Sequence, residues 1–183
     1  MTRPRIAQLF VVVAMCTTAC TTHQQMTDTA SETPTENSTT LHESALEHSV
    51  VLDVVDGDTI RIDLAGSRHY VRLIGVNTPE TKHPTKGVEC YGPQASAFLT
   101  HWLQPGTRVR VERDLEARDV YRRLLLYVFV VTPSGERFVN LELVARGYAT
   151  PLSIEPNTRY QQFFVDAAFD AQRHSRGLWG ACP

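Results

Sequence analysis

The sequence predicts an α+β protein: a small five-stranded β-barrel of the OB type carrying three α-helices. Three observations lead there. Short runs of alternating apolar and polar residues, separated by Gly- and Pro-marked turns, recur from Val50 to Val131. Helical spacing of apolar residues occurs in three places, the first of them between the third and fourth of those runs. With 183 residues, 42% of them hydrophobic and 21% charged, the chain can bury one sizeable core and not comfortably two.

The first residues are a targeting segment. Arg3 and Arg5 precede an apolar run from Ile6 to Met15 that is too short to span a bilayer. Thr17-Thr18-Ala19-Cys20 then resembles the bacterial lipoprotein cleavage box, which makes Cys20 the expected lipidated residue. Thr17 stands where that pattern prefers Leu, and a plain secretory signal is the other reading; both export the chain. Residues 21–47 are rich in Thr, Ser, Glu, Gln and Pro and hold no aromatic. Such a segment buries too little apolar area to offset its conformational entropy, so a disordered tether is expected before a domain over 48–183.

Within that domain Val50–Val55 forms a first strand. Asp56-Gly57-Asp58 makes a bend in which Gly57 is expected to turn the backbone where other residues would strain. Ile60, Ile62 and Leu64 alternate with Arg61 and Asp63, which is strand periodicity over Thr59–Leu64. Ala65-Gly66-Ser67 turns the chain into a third strand, His69–Ile74. A loop with Pro79, Pro84 and Gly87 follows. Gly92-Pro93 opens a helix with Ala95, Phe98, Leu99 and Trp102 facing the barrel, and Pro105-Gly106 stops it. Arg108–Arg113 alternates again. Leu124–Val131 is nearly continuous in apolar residues, as in a strand covered on both faces. A short helix holding Leu141, Leu143 and Val144 ends at Gly147, and a last helix from Thr158 to Ser175 presents Phe163, Phe164, Ala167, Ala168 and Ala171.

The net charge of −2 excludes a strong global field toward nucleic acid; residues 1–49 carry −3 and residues 50–183 carry +1. Polyanion binding must therefore rest on a local Arg cluster. Asp56 and Asp58 would repel each other unless a cation lies between them, and a hard cation takes oxygen ligands of this kind; an ordinary Asp-Gly hairpin turn is the plainer reading of that stretch alone. His83 and His101 lack i, i+4 spacing or a Cys partner and are read as solvated.

Val55-Asp56-Gly57-Asp58-Thr59, Arg72-Leu73-Ile74, Asn77-Thr78-Pro79-Glu80-Thr81-Lys82-His83-Pro84, Gly87-Val88-Glu89, Tyr91-Gly92-Pro93 and Asp119-Val120-Tyr121-Arg122-Arg123 stand in one order across the domain. In that order and spacing the chain resembles the staphylococcal nuclease (thermonuclease) family. The resemblance implies an OB-type barrel and Ca²⁺-dependent hydrolysis of DNA and RNA to products with a 3′-phosphate. It further implies metal ligation by Asp56, Asp58, Asn77 and the Thr59 carbonyl. Arg72 and Arg123 become the phosphate donors, and Glu80 the general base or the group that orients the attacking water. Lys86 is the expected phosphate contact in the loop, and Arg122, which the family pattern lacks, is expected to add charge near the substrate. A guanidinium fork can grip a phosphate at two points, which Lys cannot copy.

The chain departs from the family pattern at four places. Asn77 replaces an aspartate, Arg122 a glycine and Val120 a lysine, and Leu152-Ser153-Ile154 falls where tyrosines can stack on the nucleotide. With Cys16 leaving in the signal and Cys20 lipidated, Cys90 and Cys182 remain and are expected to pair in an exported domain. Each site residue also has a dull role: Glu80 as a loop or helix-start acid, Arg72 as a rim ion pair with Asp58, Arg123 as a solvated charge. Two other functions compete with a nuclease: a non-catalytic nucleic-acid-binding module, and an envelope lipoprotein with a structural Ca²⁺. A monomer is expected, touching the membrane only through the N-terminal lipid.

Overall fold

The computed structural model describes residues 49–82 and 87–183. The expected signal, the tether, Cys20, His83 and Lys86 lie outside the described residues.

Strands β1 (Ser49–Asp56), β2 (Thr59–Leu64) and β3 (Ser67–Leu73) form an antiparallel meander. In β2 the alternation does what it predicts: Ile60, Ile62 and Leu64 are buried while Arg61 and Asp63 are half-buried. β5 (Arg108–Glu112) pairs with the start of β1, and β6 (Leu124–Thr132) pairs with β5. β6 also runs parallel to β3, with Arg72 opposite Leu125. That last pairing closes β3-β2-β1-β5-β6 into a five-stranded barrel, and β7 (Gly135–Phe138) extends it as a hairpin from β6. Closure leaves the inner strands no free edge.

Three helices cover the barrel: α1 (Gly92–Trp102), α2 (Val139–Ala145) and α3 (Gln161–Arg173), followed by the single turn α4 (Leu178–Ala181). α1 falls between the third and fourth barrel strands, as expected. Leu124 to Val128 are all buried, the mark of a strand covered on both faces. Asn140 of α2 is fully buried and bolts the helix to the barrel. Its Oδ1 accepts from the Val128 amide at 3.0 Å, and its Nδ2 donates to the Ile74 carbonyl at 2.8 Å. It thus satisfies backbone groups that the barrel ladder leaves over.

Three details differ from expectation. The third strand stops at Leu73, and β4 (Gly75–Asn77) leaves the barrel to pair with β8 (Thr150–Leu152). Gly75 makes the break at φ +82°, where a Cβ would lie 2.1 Å from the Phe164 ring. The last helix starts at Gln161, three residues later than expected. Its buried stripe is Phe164, Ala168 and Ala171, whereas Phe163 is 59% exposed because it projects about 100° around the helix from Phe164.

Candidate active site

The Asp56-Gly57-Asp58 turn joins β1 to β2 and lies against the chain that follows β4. Gly57 is needed for space and not for an unusual backbone angle: it is not among the left-handed glycines, and a Cβ there would sit 2.6 Å from Thr78 Oγ1. That corrects the expected reason for a glycine in this turn. The two segments are stitched by side chains. Thr81 Oγ1 donates to Asp56 Oδ1 at 2.8 Å, Lys82 Nζ donates to the Val55 carbonyl at 2.5 Å, and the Thr78 amide approaches Asp58 Oδ2 at 3.5 Å.

Register puts Arg72 beside the acids, since it pairs with Thr59 on one side and Leu125 on the other. Its side chain is buried. Arg72 Nη2 lies 3.0 Å from Asp58 Oδ2, and Nη1 donates to the Leu73 carbonyl at 2.6 Å. Nη1 thus has a backbone acceptor and Nη2 an ion-pair partner, so the fork is partly occupied. Four of its five N–H groups make no hydrogen bond among the described residues. Burial weakens the hold of Arg72 on its proton, Asp58 opposes that, and Arg123 adds to it.

Arg123 stands at the entry to β6, held by Asp119. Asp119 Oδ2 accepts from Arg123 Nε at 2.7 Å, while Oδ1 accepts from the amides of Tyr121 and Arg123 at 3.0 and 2.9 Å. Arg122 adopts the left-handed conformation, φ +65°, that a glycine would take without strain. Its carbonyl accepts from Arg118 Nη1 at 2.7 Å, and its side chain is exposed. Arg123 Nη1 donates to Thr59 Oγ1 at 3.2 Å, and that hydroxyl donates to Asp58 Oδ1 at 3.0 Å. Asp58 is therefore approached by Arg72 directly and by Arg123 through one hydroxyl.

Glu80 curls back on its own loop. Its Oε1 accepts from the amides of Thr81 and Lys82 at 2.9 and 2.8 Å, while Oε2 has no hydrogen-bond partner among the described residues. Glu89 brackets its backbone: the Glu80 amide donates to Glu89 Oε2 at 2.9 Å, and the Glu89 amide donates to the Glu80 carbonyl at 2.9 Å. Cys90, the next residue, is disulfide-bonded to Cys182, which ties the far end of the chain to this loop. Asn77 is exposed at the end of β4, its carbonyl accepting from Thr150 Oγ1 at 3.3 Å. Asp119, Thr81, Thr78 and Glu89 stand in the motifs of the sequence but carry no assigned role there. Asp-x-Tyr-x-Arg turn chemistry could have flagged Asp119; the others reveal themselves only once the chain is folded.

The oxygen donors fit a hard cation. Asp56 Oδ2 has no partner among the described residues, and Asp58 Oδ1 receives only the Thr59 hydroxyl. Among the described residues no group of three or more His, Cys, Asp or Glu side chains could hold a metal. Carboxylate oxygens such as those of Asp56 and Asp58 suit hard cations better than the soft or nitrogen-loving metals.

The family model described as "Staphylococcal nuclease homologue" matches residues 70–181. The chain belongs to the staphylococcal nuclease family. By that membership it is a nuclease-type hydrolase. The match takes in Arg72, Glu80 and Arg123 and begins after the acid turn. The thermonuclease of Staphylococcus intermedius is 40% identical over 133 residues, covering 73% of this chain and 76% of the relative. That of Staphylococcus hyicus is 37% identical over 129 residues, 70% and 73% of the two chains. Endonuclease YncB of Bacillus subtilis is 37% identical over 134 residues, 72% of this chain and 61% of the relative. In this staphylococcal nuclease homologue the barrel therefore links two arginines to Asp58, and Thr81 ties the loop that carries Glu80 to Asp56.

Proposed function

We propose that this nuclease is an exported, Ca²⁺-dependent enzyme that hydrolyses phosphodiester bonds of DNA and RNA, leaving a 3′-phosphate. One observation carries the reading: Arg72 and Arg123 both lead to Asp58, one by an ion pair and one through the Thr59 hydroxyl. Two guanidiniums beside an acid pair form a receptor for a phosphodiester, whose charge grows as it is attacked.

Asp56, Asp58, the Thr59 carbonyl and Asn77 would hold Ca²⁺, which when bound neutralises phosphate charge and lowers the barrier to attack. The chain's own residues do the rest. Arg72, fixed by its bond to Leu73, turns its remaining N–H groups to the phosphate. Arg123, oriented by Asp119, donates to the oxygen that departs. Each such donor typically contributes ~3–4 kcal/mol to the transition state. Glu80 offers Oε2 to the attacking water while Oε1 stays anchored on two amides, so the base is oriented before substrate arrives. A water proton passes to Oε2 as the new P–O bond forms and the bond from phosphorus to the 5′ oxygen breaks. The departing oxygen, hydrogen-bonded by Arg123, takes its proton from solvent water. The Cys90–Cys182 disulfide supports an oxidising compartment outside the cytoplasm, and a lipid on Cys20 would hold the enzyme at the cell envelope.

The test is cleavage of plasmid and heat-denatured DNA by the purified chain with Ca²⁺, with Mg²⁺ and with chelator, beside Glu80→Gln. Cutting in Ca²⁺ only, with kcat lowered about 10²–10⁴-fold in the variant and KM little changed, is expected. Cutting that survives chelator would sink the metal assignment, and wild-type kcat in Glu80→Gln would remove Glu80 from the reaction.

A further inference from the structure

Where α1 ends it meets β7 and α2 in a cleft of about 290 Å³ lined by Phe98, His101, Trp102, Arg137 and Arg146. The chemistry proposed above uses none of them. The walls are aromatic: the Phe98 and Trp102 rings lie 5.6 Å apart, and Tyr148 stacks on Phe98 at 4.2 Å. Two guanidiniums stand over these rings, Arg137 at 4.8 Å from Trp102 and Arg146 at 5.6 Å from Phe98.

One carboxylate spaces the pair. Glu142 Oε1 accepts from Arg137 Nη2 at 2.8 Å and Oε2 accepts from Arg146 Nε at 2.7 Å. Burial opposes ionisation of Glu142, but the two guanidiniums together hold its carboxyl below the ordinary range. Two cations against one anion leave the cluster positive. Arg146 keeps both terminal nitrogens and Arg137 keeps Nη1 and Nε, and both side chains are about half exposed. Guanidiniums held over rings, with N–H groups left unpaired, are oriented donors of the kind that grip a phosphodiester.

Through His101 the cleft adjoins a second groove that runs along α1. That groove has Thr81, the residue bonded to Asp56, in its wall. α1 begins against the Glu80 carbonyl and spans about 15 Å. A strand of duplex carries a phosphate every ~3.4 Å along the axis, so a strand held at Arg72 and Arg123 reaches the cleft only several nucleotides away.

We propose that the Arg137–Glu142–Arg146 cleft is a second nucleic-acid contact, gripping the substrate strand several nucleotides from the bond that is cut. The proposal rests on the nuclease reading and adds an affinity for length that the catalytic centre alone lacks.

The test compares the full chain with its Arg137→Gln/Arg146→Gln variant on two single-stranded substrates, one of about 30 nucleotides and one of about three. For the long strand, KM rises about 5–20-fold with kcat unchanged, and the slope of log affinity against log salt flattens by about 1.4, or 0.7 for each lost phosphate contact. For the short substrate KM and kcat stay the same. A second variant, Trp102→Leu, weakens the long strand and leaves the salt slope alone. Equal cutting of the short substrate by parent and variant keeps the nuclease reading intact, so an unchanged long-strand KM overturns the cleft alone. Loss of binding to phosphatidylglycerol vesicles, with long-strand KM unaltered, would assign the cleft to a lipid headgroup and overturn the proposal as well.

Discussion

Strand β6 starts in one kind of environment and ends in another. At its entry Arg123 joins Arg72, Asp58 and Asp119 in a chain of polar bonds between 2.7 and 3.2 Å. A few residues on, Tyr127 sits in an aromatic cluster with Tyr160 at 4.7 Å, Phe138 at 6.0 Å and Phe164 at 6.4 Å. Taking Arg72 and Asp58 out of water costs free energy that their attraction returns only in part. Burying the rings is favourable without any partner of opposite charge. The difference teaches that the fold is held at the aromatic cluster and that the charged entry is carried by it, so stability and turnover should respond to different substitutions.

The largest expected effect lies at the aromatic side. Phe164→Ala removes the ring that packs on Gly75 and should lower unfolding free energy by about 3–5 kcal/mol. Urea unfolding measures it, with kcat of the remaining folded enzyme within about two-fold of the parent at low temperature. A large fall in kcat with the fold intact would show that the two regions are coupled.

At the charged side the pattern should reverse. Arg72→Lys keeps a cation for Asp58 and loses the fork, so kcat should fall about 10²–10³-fold while the melting temperature moves little. Full activity in that variant would take the fork out of the reaction.

The smallest effect sharpens the comparison through pH. Burial and the hydrogen bond to Asp114 raise the Tyr127 hydroxyl well above its ordinary value of 10. The folded state then holds a proton that the unfolded chain gives up. This contribution is complete below pH 10 and is lost as pH climbs from there toward the folded-state value. The melting temperature of the parent should therefore fall more steeply above pH 10 than that of Tyr127→Phe. Parallel curves would mean the hydroxyl ionises as freely folded as unfolded.

Much of this was legible beforehand where the signal is local. Alternation of Ile60, Ile62 and Leu64 marked β2 to the residue, and the apolar run of β6 announced a strand covered on both faces. β4 and β8 were not legible, being three residues each and paired with segments far away in the chain. The candidate site was partly legible. Its acids, arginines and Glu80 carry chemistry in their residue types. Glu89, Thr81 and Asp119 act by holding those groups and look like ordinary loop residues until the chain closes. Phe163 and Phe164 differ only by which way one turn of helix faces, and a broad apolar stripe does not separate them.

By itself the sequence determined the order of the barrel strands and the three main helices, the turn that brings two acids together, and the charged residues a phosphodiester would need. Periodicity and turn chemistry act over a few neighbouring residues, and that range is readable in one dimension. Tertiary structure alone decided which acceptor each donor took. It set Thr81 on Asp56 across 25 positions and Arg137 and Arg146 on one Glu142, and it realised the Arg72–Asp58 ion pair that the sequence had left as one of two roles. It also made Gly57 a question of space against Thr78. Such bonds depend on where closure of the barrel and the packing of α1 and α2 bring distant segments, and no local pattern carries that distance.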